Sequence, residues 1–373
     1  RIRDRQLPIL LMDSRYADRL PIGKKEVIEK APHDLFRKFY RAWYRPDLMA
    51  VIVVGDCDPP AMEKLIRDTF DSPVLSGQLS RTEFPVPDHD ETLFAIATDP
   101  EATRSSVSVY WKRPIRIEKT VGQYRRTIVE ALFNSALNRR LDELARLADP
   151  PFLSAYSAIG DLVRTKEVYV LGAGVKDGGI ERGLETILTE GARVARFGFT
   201  SAEIAREKAD LLRAMETAYN ERDKTESANF AGEYADHFLS GEPAPGVEFE
   251  YRVFREYMPG ITVEEVNALA RELITDTNRV VMASGPEKAG VVMPSEAALR
   301  AVFDRVAAKA ITAYSDSVSD TPLVPSKPKP GRVTTVKTVP DLGVTEWTLS
   351  NGIRVILKPT DFKNDEVQFA AWS

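Results

Sequence analysis

The side chains that hold metals and move protons are few here, and their spacing suits little chemistry. Three histidines, His33, His89 and His237, stand far apart, so neither H-E-x-x-H nor H-x-x-E-H occurs. Glu233 and His237, four residues apart and on one helix face, are the nearest thing to a ligand pair, and zinc would need a third ligand from elsewhere. A solvated i,i+4 contact beside Asp236 is the expected reading. Cys57, the single cysteine, has no histidine near it in sequence to activate it and is expected to be a small buried thiol. Gly172-Ala173-Gly174 lacks the third glycine of a dinucleotide loop and lies within a β-run. Neither a G-x-x-x-x-G-K-[ST] loop nor a G-x-S-x-G elbow is present. Lys112-Arg113-Pro114-Ile115-Arg116 is expected as a surface basic cluster. Arg139 and Arg140, in a leucine-rich helix, are expected to snorkel out of the core, the alternative being a cavity in which they hold a substrate carboxylate. No residue is assigned a catalytic or metal-binding role, and none is singled out for substrate.

The elements that must position these groups belong to a globular protein with sizeable cores. The chain has 373 residues, 43% hydrophobic and 9% aromatic, enough for two domains. Lys plus Arg is 51 and Asp plus Glu is 56, a net charge of −5 with both signs interspersed, which argues against a nucleic-acid partner. No run of about 18 apolar residues suits a membrane span. One cysteine excludes an internal disulfide and a cysteine-based zinc cluster, and leaves the compartment open.

Helical periodicity dominates. Phe36, Phe39, Tyr40 and Trp43 share a helix face over residues 33–44, and Met62, Leu65, Ile66, Thr69 and Phe70 do so over 60–70, with Asp58 to cap and Pro59 at the first helical position. The longest pattern runs from Val121 to Ala148. Thr200 with Glu203, and Thr262 with Glu265, have capping-box spacing. Strand-like runs are 50–54, 93–98, 105–111, 168–175 and 280–284. The alternation predicts an α+β fold, a mostly antiparallel sheet covered by helices on one face. Residues 72–92, with Pro73, Pro85 and Pro87, read as a connection, and 315–343, with five prolines, as an extended linker. After it, 346–349 and 353–357 flank Ser350-Asn351-Gly352, a hairpin signal, and a third β-run covers 366–371.

The chain also repeats itself. A shift of 230 residues places Phe39 on Leu269, Trp43 on Leu273, Val51 on Val281 and Gly55 on Gly285. Both copies read as an apolar-faced helix, a polar turn, a β-run and a glycine. A duplicated unit of that length would put roughly 175 residues (230 − 55) before Arg1. The opening RIRDRQLPILL has no Met, signal peptide or N-cap, and the final sheet stops short. The expectation is a piece of a longer chain.

Arg19-Leu20-Pro21-Ile22-Gly23, followed by Phe39-Tyr40-x-x-Trp43-Tyr44-Arg45-Pro46-Asp47-x-Met49-x-Val51-x-Val53-Val54-Gly55-Asp56, resembles the zinc peptidases related to pitrilysin and insulin-degrading enzyme (the M16, or inverzincin, family), above all long bacterial members with four homologous units. The resemblance implies that 1–77 is the end of unit one, 90–312 a non-catalytic unit two, 313–343 a linker between halves and 344–373 the first strands of unit three. It further implies peptide hydrolysis in a closed chamber, with zinc held by the two histidines of H-x-x-E-H and a distal glutamate, and the motif's own glutamate acting as general base on the metal-bound water. That motif precedes the segment matching Arg1 onward, so zinc belongs to the parent protein and none is expected here. In later units an arginine and, seven residues on, a tyrosine hold substrate. Here Arg146 is followed at that distance by Leu153, so unit two does not supply the pair.

The function expected is the non-catalytic wall and hinge of a zinc endopeptidase, inactive alone, whose partners are a peptide or unfolded-protein substrate and the other units of its own chain. The alternative is a fragment of a metal-free binding or scaffold subunit of the same fold, and a third reading is a self-standing α+β interaction module. Bacterial relatives favour the periplasm or cell envelope.

Overall fold

The computed structural model describes residues 1–70, 82–316, 322 and 324–372. Two bodies result, the first built from 1–215 and 227–314, the second from 216–226 and 315–373. The helices are α1 Ile2–Leu10, α2 Arg15–Asp18, α3 Lys25–Lys30, α4 His33–Trp43, α5 Pro59–Phe70, α6 Val121–Ala145, α7 Ile180–Phe197, α8 Ser201–Asn220, α9 Ser227–Ser240, α10 Val247–Tyr257, α11 Val263–Leu273 and α12 Glu296–Ala308. The strands are β1 Leu93–Asp99, β2 Ser105–Pro114, β3 Ser154–Val163, β4 Lys166–Val175, β5 Arg279–Pro286, β6 Val333–Val339, β7 Val344–Leu349 and β8 Arg354–Leu357.

In the first body five strands run in the order β1-β5-β2-β4-β3. Only β1 with β5 is parallel, and the other three pairings are antiparallel. Odd positions of β2, Val107, Val109 and Trp111, point into a core shared with Leu171 and Tyr169 of β4 and Val281 and Ala283 of β5. Over them lie Phe133 and Leu137 of α6, Leu184 and Ile187 of α7, Leu269 of α11 and Val302 of α12. Each of these side chains is at most 1% exposed, and burial of each Val, Leu, Ile or Phe among them contributes about 1.5–3 kcal/mol. The sheet is therefore mostly antiparallel with its helical layer on one face, as expected. On the opposite face α1 packs along the β1 margin, where Gln6 Nε2 donates to the carbonyls of Ala95 and Ala283, both at 3.0 Å.

Caps set the helix starts. Thr120 and Gln123 form a capping box at α6, and Thr200 and Glu203 form one at α8. At α11 the Thr262 hydroxyl accepts from the Glu265 amide. The outer edge of β3 is occupied at Ser157: Asn138 of α6 accepts from its amide at 2.6 Å and donates to its carbonyl at 3.1 Å. An edge strand is thus partly paired by side chains rather than left open.

Three strand readings differ from the outcome. Residues 50–54 form no strand, and Val51 and Val53 are exposed, since among the described residues no strand pairs with them. Residues 366–371 likewise form none, with Val367 and Phe369 exposed. Conversely β3 escaped detection, since Ser154-Ala155-Tyr156-Ser157-Ala158 shows little apolar alternation. In the second body β6 lies inside the stretch read as linker and pairs antiparallel with β7, which pairs with β8. Of the two punctuating stretches, residues 71–81 and 317–321 with 323 fall outside the described residues.

The repeat is visible in the helices themselves. α4 spans 33–43 and α11 spans 263–273, an offset of 230 at both ends (263 − 33 and 273 − 43). The two copies differ in burial. Leu269, Leu273 and Val281 are fully buried, whereas Phe39 is 58% and Val51 44% exposed. A Cβ on Gly285 would meet Met293 Sδ at 3.0 Å, whereas one on Gly55 would meet nothing within 4 Å.

Candidate functional site

The face of the sheet away from the helices carries small polar residues. Even positions place Ser106, Ser108 and Tyr110 of β2 beside Gly174 and Gly172 of β4, then Ser154 and Tyr156 of β3. On the other side stand Met282 and Ser284 of β5, with Gln6 of α1 closing the margin. The glycines are what make the surface a trough. A Cβ on Gly172 would sit 2.6 Å from the Tyr156 ring and 2.8 Å from Ser108 Oγ, so the ring can lie flat across the β4 backbone only because the side chain is missing. The trough holds about 370 Å³, and none of its lining residues is charged.

Its chemistry is hydrogen bonding without acid–base machinery. Ser106 and Ser284 share a hydroxyl–hydroxyl bond of 2.9 Å, with no base beside them. Burial, then the neighbouring Tyr156, pushes the Tyr110 hydroxyl up to about 12, so it remains a protonated donor through the neutral range. Such a surface can contact an extended, uncharged chain. It cannot activate water.

The residues singled out in the sequence lie elsewhere and are engaged otherwise. Arg139 reaches outward to Glu207 and Asp210, as expected. Arg140 does not snorkel. It is 2% exposed, bonded through Nε and Nη2 to the two Glu203 oxygens at 2.6 and 2.8 Å, and flanked by the Phe199 and Tyr314 rings. Its alternative role, facing a cavity to hold a carboxylate, is met by a carboxylate of the protein itself. The segment 112–116 is not a surface cluster: Lys112 is buried with Nζ on the Pro87 carbonyl, Arg113 lies 3.5 Å from Glu167, and Arg116 forms a bidentate pair with Glu130. Cys57 is exposed rather than buried, in the turn after the unpaired 50–54 run. Leu153, where the family's tyrosine would stand, is exposed.

Glu233 and His237 share α9 but hold nothing together. The His237 Nδ1–H donates to the Glu242 carbonyl at 2.6 Å. Glu233 adds to the negative field that, after burial, raises the carboxyls of Glu242 and Glu250. Among the described residues no three of His, Cys, Asp and Glu stand close enough to hold a metal ion, so the side chains present do not fit a zinc site. No helix among them is long and apolar enough to cross a membrane.

The trough residues were missed in the sequence because serines and glycines in β-runs carry no spacing signature. Only the β3–β4 register makes Tyr156 and Gly172 neighbours.

Comparison with known proteins agrees with this geometry. The sequence model of the family described as "Peptidase M16 inactive domain" matches residues 30–211. A "Zinc protease PQQL-like" protein of Arabidopsis thaliana is 33% identical over the whole chain, which covers 36% of that relative. The crystal structure of the periplasmic protease PqqL from Escherichia coli superposes with a TM-score of 0.76 at 21% identity, over 95% of this chain and 39% of that one. The ferredoxin protease FusC, solved as its E83A mutant in complex with Arabidopsis ferredoxin, gives a TM-score of 0.69 at 21% identity, over 95% and 40%. The chain thus spans little more than a third of the length of these relatives. Residues 30–211 thus carry the inactive domain of the M16 peptidases, and the whole chain is homologous to a PQQL-like zinc protease of the insulinase-like type.

Proposed function

We propose that the chain is the non-catalytic wall and hinge of a zinc-dependent endopeptidase, with the hydroxyl-lined face of the five-stranded sheet turned toward the substrate. The observation that carries this reading is the asymmetry of the sheet: helices seal one face, and an uncharged trough lies open on the other. An enclosure that selects by size needs rigid walls that bind weakly and do no chemistry. The relatives' names support the parent reaction, and the FusC complex supports a peptide or protein as the kind of substrate. The M16 site residues would then lie outside this chain, and zinc with them.

In the same reading residues 1–77 end a first unit, 90–312 form the second, 313–343 connect the halves and 344–373 begin a third. The exposed apolar face of α4 supports this, since its 230-residue counterpart α11 is buried in the core beside α6 and α7. The periplasm or cell envelope is favoured, as for the E. coli relative.

The test is photocrosslinking in the full-length protein. A benzophenone side chain at Ser108 should capture a bound peptide, and one at Arg182, on the outer side of α7, should not. Equal capture from both positions refutes the wall. The isolated chain should bind no stoichiometric zinc and cleave no peptide; one tightly held zinc per chain by elemental analysis overturns the assignment.

A further inference from the structure

Residues 84–91 form no helix or strand, yet side chains tie them to the ends of three strands. Thr165 Oγ1 donates to the Phe84 carbonyl at 3.1 Å, Lys112 Nζ to the Pro87 carbonyl at 3.0 Å, and Lys166 pairs with Asp88. Asn278, just before β5, accepts from the His89 amide through Oδ1 and donates its own amide to the His89 carbonyl, both at 2.8 Å. Val86 is buried beneath.

His89 sits at the centre of these ties. Its Nδ1 lies 2.6 Å from the Glu91 carbonyl, which only accepts, so Nδ1 carries the proton of the neutral ring and Nε2 is left as a lone pair. That Nε2 is buried with no partner. We propose that residues 84–91 are an acid-released latch, in which a proton on His89 Nε2 frees this segment from β2, β4 and β5.

The added proton would be a buried N–H⁺ with no acceptor. The charged groups acting on it are the cation Lys112 from β2 and the segment's own Asp88 and Glu91, with Lys166 of β4 held on Asp88. Asp88 is already engaged by Lys166, and the β5 side offers only uncharged Asn278, since Arg279 pairs with Asp276 and donates to Thr92. Burial holds the His89 imidazole below its ordinary range, against the opposing pull of the Glu91 carbonyl. The docked segment therefore binds a proton less tightly than the released one. Release becomes more favourable as pH falls below about 6.5, by up to about tenfold per pH unit for a single proton. Since Thr92 leads directly into β1, release unhooks the entry of the chain into the sheet.

Hydrogen exchange followed by mass spectrometry between pH 7.5 and 5, corrected for intrinsic exchange, reads this directly. In the wild-type chain the peptide covering 83–92 should lose protection below pH 6.5, while one covering 128–137 in α6 stays unchanged. H89Q, neutral at every pH, should abolish the dependence. A flat wild-type profile, or an H89Q profile parallel to it, overturns the latch. Independently of any variant, NMR titration of the wild-type ring should place the His89 midpoint below 6.5, and a midpoint at or above it refutes the proposal.

Discussion

Truncating Phe39 and Leu269 to alanine compares two copies of one helix in two environments. Leu269 is fully buried, so Leu269→Ala removes the transfer free energy of the side chain and leaves a cavity, at about 2–5 kcal/mol. Phe39 is 58% exposed. Less than half of a side chain worth about 1.5–3 kcal/mol on full burial is then at stake, so Phe39→Ala should cost about 1 kcal/mol or less in this chain. If α4 packs in the full-length protein as α11 packs here, the same substitution there should cost about 3–5 kcal/mol. Urea unfolding followed by tryptophan fluorescence reports the outcome, with buried Trp111 as the probe of the sheet. The decisive quantity is the ratio between contexts. A Phe39→Ala penalty that stays near 1 kcal/mol in the full-length protein would show that α4 is a surface helix everywhere, and the equivalence of the two copies would fall.

Other perturbations follow from single contacts. Gly172→Ala must displace the Tyr156 ring and should cost about 1–3 kcal/mol by thermal unfolding, whereas Gly160→Ala, with nothing within 4 Å of its Cβ, should be near neutral or stabilising. Arg140→Met leaves Glu203 buried without its partner and should cost about 3–5 kcal/mol, and adding Glu203→Met should restore much of that loss, less the helix cap that Glu203 supplies. Lys112 is lowered to about 8 by burial and then by Lys166, so the unfolded chain binds more protons between pH 8 and 10.5. Wild type should therefore gain stability over Lys112→Met as pH rises through that window, by at most about 1.4 kcal/mol per pH unit, and a constant difference in urea titrations would contradict the buried charge.

Helices α4, α5, α6, α8 and α11 and four of the five strands of the first sheet were legible because each carries its own periodicity or cap, whereas α7, α10 and α12 were not read from the sequence. Thr200 with Glu203 announces α8 from four letters, and the structure forms that box. What failed was whatever depends on a partner distant in sequence. Val51 and Val53 have strand propensity as good as that of Val280 and Val281, but β5 pairs with both β1 and β2 while residues 50–54 pair with nothing. Arg140 and Lys112 were assigned to the surface on residue type, and both are buried because Glu203 and the Pro87 carbonyl happen to meet them there. Type sets the cost of burial, and topology decides whether it is compensated.

The same reasoning explains why the trough left no trace in the sequence. A catalytic site must concentrate titratable groups at fixed spacings, and those spacings survive as motifs. A wall, as proposed for this face, would have the opposite requirement. Charged or strongly apolar residues on its inner face would retain some substrates and repel others, so hydroxyls and glycines serve best, and in a β-run these look like weak strand formers. Ser106, Ser108, Gly172, Gly174 and Ser284 each lower the apparent strand signal on one face, while Val107, Val109, Leu171 and Val281 carry it on the other. One-sided alternation is thus the mark of such a surface: Ser106, Ser108, Gly172, Gly174 and Ser284 are small and uncharged where solvent-facing positions are usually charged, and the larger side chains beside them, Tyr110, Tyr156 and Met282, are uncharged too.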